Sequence, residues 1–322
     1  PMQTVASQEI RMITGNDRTY FLDVLPQEFP CRLTGDFRSP VLDLVNADGS
    51  LGCDLRYQGY EICDGKYNLK GLPAVYAAEE EAQTLIIYMK DQVTGLQVEL
   101  LYGVLPEYDV ITRSAKVINT EEDKIRLTKA QAACIDFLHG EFDVISFYGR
   151  HAMERNMQRT SVGHGAFVIG SRRGTSSHQY NPMLILAEKE TTEDAGTCYG
   201  MSFVYSGGFK AEVEKDQFGQ TRMQMGLQEE QFSYPLKKGE EFVIPEVILT
   251  CSNQGLEKLS QNLQRCIRKN LCRGKYKEKV RPVLINSWEA CYFDLREKIS
   301  IIFRDRQRIW ESIWLYWTMD GL

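Results

Sequence analysis

The stretch Leu96-Gln97-Val98-Glu99-Leu100-Leu101-Tyr102-Gly103 decides the fold class. Leu96, Val98, Leu100 and Tyr102 alternate with Gln97, Glu99, Leu101 and Gly103, a repeat of two that sends apolar side chains to one face of a strand. The run at 84–89 is rich in β-formers, and Asp91-Gln92-Val93-Thr94-Gly95 between the two can turn the chain, which predicts a hairpin. Further strand signals fall at 110–118, 125–127, 201–205, 209–213, 222–225 and 242–249. Turn signals such as Ser206-Gly207-Gly208 and Phe218-Gly219 separate them. Many short strands at this spacing predict a mainly β fold, a large antiparallel sandwich.

After Cys251 the period changes. Ser252 or Asn253 is the expected helix cap, and Leu256, Leu259, Leu263 and Ile267 then recur at helical spacing through Asn270. A basic linker runs from Cys272 to Arg281. Pro282-Val283-Leu284-Ile285-Asn286 follows and reads as a buried strand opening a second domain. Too few residues come after it for a complete α/β domain.

Composition narrows the function classes. Of 322 residues, 43% are hydrophobic and 25% charged, the balance of a globular chain and not of a disordered one. The longest apolar runs, such as Met183-Leu184-Ile185-Leu186-Ala187, fall far short of the roughly 20 residues of a membrane helix, so no membrane partner is expected. No basic segment followed by an apolar stretch opens the sequence, and nine cysteines form no CxxC pair; both point to a cytoplasmic protein with reduced thiols. A net charge of −6 argues against nucleic acid as the main partner, and the basic stretch 265–281 reads as a solvated helix face and linker. The four histidines make no HxH or HxxxH pair, so no metal site is expected. Gly163-His164-Gly165 with Gly170 misses the dinucleotide-binding spacing. Neither a GxSxG elbow nor a P-loop occurs, and no cofactor is expected.

Three features remain as sites. Ser171-Arg172-Arg173-Gly174-Thr175-Ser176-Ser177-His178-Gln179 either binds a polyol or an anion, or is a polar loop whose side chains satisfy its own backbone. Tyr148-Gly149-Arg150-His151-Ala152-Met153-Glu154-Arg155 either positions an aromatic or imidazole ring at a ligand, or is a structured loop with an Arg–Glu pair. Trp288, just past the 282–286 strand, either stacks on a sugar at the end of a barrel strand or packs in a core.

Several longer motifs carry a resemblance. They are Gly15-Asn16-Asp17-Arg18-Thr19-Tyr20, Gly35-Asp36-Phe37-Arg38, Leu55-Arg56-Tyr57-Gln58-Gly59-Tyr60 and Val110-Ile111-Thr112-Arg113-Ser114-Ala115. The 171–179 stretch, Gly200-Met201-Ser202-Phe203-Val204-Tyr205-Ser206-Gly207, Lys215-Asp216-Gln217-Phe218-Gly219 and the run from Arg281 to Asp294 continue the series. Together they resemble glycoside hydrolase family 36, the bacterial α-galactosidases. The resemblance implies an N-terminal β-sandwich, then a (β/α)8 catalytic barrel, then a small C-terminal sheet. It divides the chain into an unmatched segment 1–14, a sandwich 15–252, a linker helix and basic linker 253–280, a first barrel strand 281–297 and a tail 298–322.

The family's first barrel strands lead to an Asp-Asp-Gly-Trp motif, and its nucleophile and acid/base aspartates stand further along the barrel. Retaining hydrolysis needs two carboxyls about 5 Å apart across the scissile bond. None of these motifs is in the sequence, so no catalytic residue is expected. After Lys298 the resemblance stops. Permitted codons for 299–322, read one base earlier, regenerate a segment ending in Asp-Asp-Gly-Trp, so the tail is read as out of frame and its aromatic residues as accidental. What carries over is substrate binding. Trp288 matches the tryptophan that walls the galactose subsite, and His151 falls where some members place a tryptophan reaching a neighbouring subunit's active site. Asp17 and Arg18 match a stretch near the same contact. The implied partners are galactosides and further copies of the chain, in a tetramer-like homo-oligomer built through the sandwich. The expectation is therefore a fragment of an α-galactosidase acting on terminal α-galactosides such as melibiose and raffinose, inactive alone. The alternative is a free-standing carbohydrate-binding or oligomerisation module.

Overall fold

The computed structural model describes residues 24–121, 124–230, 232–281, 283–286, 292 and 313–316. Two units divide between Leu271 and Cys272. In the first, the described strands are, in chain order, β1 (Leu42–Val45), β2 (Leu55–Asp64), β3 (Gln83–Asp91), β4 (Gln97–Leu105), β5 (Val110–Ile118), β6 (Ile125–Phe137), β7 (Phe142–Arg150), β8 (Met153–Ser161), β9 (Gly165–Gly170), β10 (Tyr180–Glu188), β11 (Cys198–Phe203), β12 (Phe209–Lys215), β13 (Thr221–Leu227), β14 (Tyr234–Leu236) and β15 (Glu241–Ser252). One helix, α1 (Gly255–Asn270), follows them. The large antiparallel sandwich is present as expected.

One sheet has nine strands in the order β2-β3-β4-β5-β15-β11-β10-β7-β8; the other runs β1-β6-β13-β12-β9, with β14 also paired to β6. The predicted hairpin is β3–β4, in which Met89 faces Val98 and Ile87 faces Leu100. Backbone bonds between Asp91 and Leu96 and between Gly95 and Asp91 close its turn, and one side chain braces it. The Asp91 carboxylate accepts from the Val93, Thr94 and Asp54 amides at 2.8, 3.2 and 2.9 Å. Burial pushes the Asp91 carboxyl up, but these amides hold it below its ordinary range.

Alternation then builds the core. Val98, Leu100, Ala115, Val117, Leu184, Leu186, Met201 and Phe203 of the larger sheet meet Leu42, Leu44, Leu127, Phe209, Ala211, Val213, Met223 and Met225 of the smaller in one buried cluster. The opposite face of the larger sheet is covered by α1. Leu259, Leu263 and Cys266 join Leu105, Ile145, Ile185, Ala187, Cys198 and Ile248 in a second cluster. The helix boundary differs slightly from expectation. Neither Ser252 nor Asn253 caps α1: the residue preceding it is Gln254, whose side chain makes no cap bond, while Ser252 Oγ accepts from the Gln254 amide at 3.0 Å.

Polar positions on β6, β12 and β13 are buried as well. Lys129, Glu212, Arg222 and Gln224 are each at most 5% exposed. Part of that cover is the incoming segment at 24–41, whose Asp36 and Ser39 bond to Arg222. In the second unit β16 (Val283–Asn286) pairs in parallel with β17 (Ile313–Tyr316), Val283 opposite Ile313 and Asn286 opposite Tyr316. β17 lies within the stretch expected to be out of frame.

Candidate functional site

The two polar stretches singled out above fold against each other. The residues from Tyr148 to Arg155 are not a loop but the end of the β7–β8 hairpin, the last pair at one edge of the nine-stranded sheet. A register shift between Tyr148 and Arg150 bends the pair, with Arg155 (φ 57°) left-handed opposite it, and Ala152 (φ 61°) takes the left-handed conformation that reverses the chain. Gly149 is needed there because a Cβ would stand 2.4 Å from the Met153 carbonyl oxygen and 2.7 Å from Glu154 Cα. His151 sits at the tip, exposed.

Glu154 turns its carboxylate to its own hairpin, accepting from the Ala152 amide at 3.0 Å. Its own backbone amide and that of Ala152 hold the Glu154 carboxyl below the ordinary range, and the nearby charges of His178 and His151 add to this. His178 belongs to the 171–179 loop. That loop reaches the hairpin through Gly149, whose amide donates to the Gln179 carbonyl at 3.3 Å, and through the pairing of Tyr148 with Tyr180.

Within the loop the hydroxyls serve the backbone. Ser171 Oγ donates to the Thr175 carbonyl at 2.6 Å, Thr175 Oγ1 to the Ser206 carbonyl at 3.1 Å, and Ser177 Oγ accepts from the Gln179 amide at 3.3 Å. The arginines do not. Arg173 donates to Gln179 Oε1 at 2.9 Å, and Arg172 reaches Glu230, beyond the end of β13, at 2.5 Å. Glu230 was not singled out from the sequence, and nothing in its local pattern marks it as the partner of an arginine 58 positions earlier.

Of the site residues expected from the sequence, His151 is the one the structure places. Trp288, Asp17 and Arg18 lie outside the described residues. Among the described residues no group of acidic, histidine or cysteine side chains is arranged to hold a metal ion.

The glycosyl hydrolase family 36 N-terminal domain matches residues 3–237, and the melibiase family matches residues 241–310. A bifunctional alpha-galactosidase/sucrose kinase, AgaSK, from Mediterraneibacter gnavus is 61% identical over 280 residues, covering 87% of this chain and 30% of that protein. Alpha-galactosidase Mel36A of Lactobacillus acidophilus is 43% identical over 282 residues, covering 87% of this chain and 38% of that one. The chain thus spans well under half the length of these relatives. Among solved structures, the galactosidase domain of AgaSK superposes with a TM-score of 0.89 at 56% identity, over 94% of this chain and 42% of that one. A variant of the alpha-galactosidase AgaA from Geobacillus stearothermophilus, in complex with stachyose, gives 0.90 at 41% identity with the same coverage. With the N-terminal domain match filling most of its sandwich, the chain belongs to glycosyl hydrolase family 36.

Proposed function

We propose that the chain supplies the N-terminal sandwich and the opening barrel strand of an α-galactosidase, and that alone it does not hydrolyse α-galactosides. One observation carries this reading. The N-terminal-domain match fills residues 3–237 and the melibiase match only residues 241–310, while the sequence holds no Asp-Asp-Gly-Trp motif and neither of the aspartates that the resemblance assigns to the barrel. Two carboxyls about 5 Å apart are what a retaining glycosidase needs. The relatives' names, and the stachyose and raffinose bound to relatives of solved structure, support terminal α-galactosides as the substrates of the whole enzyme.

In that enzyme Trp288 walls the galactose ring, and Asp17 and Arg18 stand near an inter-subunit contact. The exposed position of His151 at the β7–β8 tip supports a role against a neighbouring copy in a tetramer-like homo-oligomer. No disulfide joins the described cysteines, which supports a reducing, cytoplasmic location. The stretch 298–322 we read as a shifted frame, and sequencing the gene across the Lys298 codon decides it. The self-contained core of the first unit favours a second reading, a free-standing carbohydrate-binding or oligomerisation module. An assay of the purified chain with an aryl α-galactoside tests the first. No turnover above a heat-killed control is expected, and turnover at rates typical of enzymes overturns it.

A further inference from the structure

Two cavities open beside the 171–179 loop, of about 430 and 420 Å³. Each falls within the roughly 300–1,000 Å³ usual for small-molecule sites. They share Arg172, Gln228 and Glu230 as walls. The Arg172–Glu230 pair that stands between them is 70% and 52% exposed at its side chains. An exposed pair of this kind contributes little to stability. Its guanidinium donors and carboxylate acceptors are therefore available to exchange partners with a ligand.

The lining selects the ligand. Tyr205, Phe232 and Phe242 line the second cavity. These rings are held by their neighbours: Phe232 and Phe242 lie 5.6 Å apart, Phe242 and Tyr234 4.7 Å, and Tyr205 and Phe203 5.8 Å. Gly208, also on the wall, lets the chain entering β12 approach the loop closely, since a Cβ there would come within 3.1 Å of the Ser171 carbonyl oxygen and 3.4 Å of Gln228 Cβ. In the first cavity Lys210 is engaged by Glu229 and Glu212, both at 2.7 Å. The charged groups on the walls are thus two cations, Arg172 and Lys210, against two anions, Glu229 and Glu230. A balanced lining offers a phosphate no net attraction. Fixed ring faces for C–H groups, with planar donors and acceptors for hydroxyls, suit an uncharged polyhydroxylated ring.

The geometry points to a saccharide-binding cleft on the sandwich itself, with two adjoining pyranose subsites astride Arg172–Glu230. The cleft stands on its own lining and does not depend on the chain being part of a galactosidase. The test is calorimetric titration and saturation-transfer NMR on the full 322-residue chain. Melibiose, raffinose and maltotriose serve as saccharide probes and inorganic phosphate as the anion probe. Saturable binding of at least one saccharide is expected, with transfer from aromatic protons to sugar C–H groups and no binding of phosphate. Arg172→Ala combined with Glu230→Ala should weaken that binding roughly tenfold, about 1.4 kcal/mol, with an unchanged thermal midpoint. Tyr205→Leu, which keeps apolar bulk, should remove the transfer from that ring. Absence of saturable binding for all three saccharides overturns the inference, as does binding that both variants leave intact, or Arg172-dependent binding of phosphate. Because the readout is binding, its failure is distinct from a failure of the proposed function, which is read by turnover.

Discussion

Replacing Arg222 by leucine should remove a large share of the stability of the sandwich. Arg222 is fully buried. Its Nε and Nη2 grip the two oxygens of Asp136 at 2.7 and 2.8 Å, Nη2 also reaches Asp36 at 2.8 Å, and Nη1 donates to the Ser39 carbonyl at 3.0 Å. Arg38 completes the group, 2.9 Å from Asp36 and 3.3 Å from Asp136. Two guanidiniums thus balance two carboxylates, and none of the four side chains is more than 2% exposed. Removing Arg222 leaves one buried carboxylate without a counter-charge, which costs about 3–5 kcal/mol. A domain's whole stability is about 5–15 kcal/mol. Removing Asp136 as well restores the balance, so Arg222→Leu with Asp136→Leu should lose less than Arg222→Leu alone. Urea unfolding followed by circular dichroism measures both, with the slope m unchanged if only stability has moved. Acid adds an independent limb. Burial pushes the Asp36 carboxyl up, but the Arg38 hydrogen bond and the Arg222 charge hold it below the ordinary carboxylate range. A depressed folded value stabilises above the unfolded value and is lost as pH falls through the folded one. The advantage of the natural chain over Arg222→Leu should therefore shrink below about pH 4. A single variant that loses less than about 1 kcal/mol refutes the reasoning, because an uncompensated buried charge costs more than that.

Gly149→Ala should destabilise by about 1–3 kcal/mol, because its Cβ meets backbone atoms that close the β7–β8 turn; a thermal melt of the variant within experimental error of the natural chain refutes the packing. Lys66 is buried 2.6 Å from Glu246, with its ammonium 3.1 Å from the centre of the Tyr67 ring, and burial lowers its pKa to about 8. Between about 8 and the ordinary 10.5 the unfolded chain keeps a proton that the folded chain has shed, so stability rises with pH across that window. The stability difference between the natural chain and Lys66→Met should climb across the same range in denaturant titrations, and a difference that falls there contradicts the assignment.

The parts of the fold that depend on a single period were legible in the sequence. Leu96, Val98 and Leu100 alternate because one face of β4 is buried against the smaller sheet, and all three are in the core. Leu259 and Leu263 recur at helical spacing because one stripe of α1 covers the larger sheet. The β7–β8 hairpin was not legible. It is an edge pair, and Met153, Glu154, Arg155 and most of the strand beyond them are exposed on both sides, so no apolar alternation marks β8 as a strand. The smaller sheet misleads in the opposite direction. Lys210, Glu212 and Glu214 put charges at alternate positions of β12, yet Glu212 is 5% exposed and Glu214 accepts from the Ser39 amide at 2.8 Å. What covers them arrives from a segment some 175 positions earlier, and local pattern carries no trace of a contact that distant.

The 171–179 loop joins these two lessons, because its hydroxyls serve the backbone and its arginines do not. Its serines and threonine are turn residues, and their hydroxyls close backbone bonds within a few positions or to Ser206. That part is local chemistry, and residue type alone foretells it. Arg172 has no such local use. A guanidinium carries five donors and cannot be satisfied by a turn carbonyl in passing. It looks outward to Glu230, brought near only because β9 and β13 both pair with β12 in the smaller sheet. The strand order that sets this partnership also sets Tyr205, Phe232 and Phe242 around one opening. Sequence identifies the loop as polar, but the topology of the sheet decides that Arg172 meets Glu230 and not its own backbone.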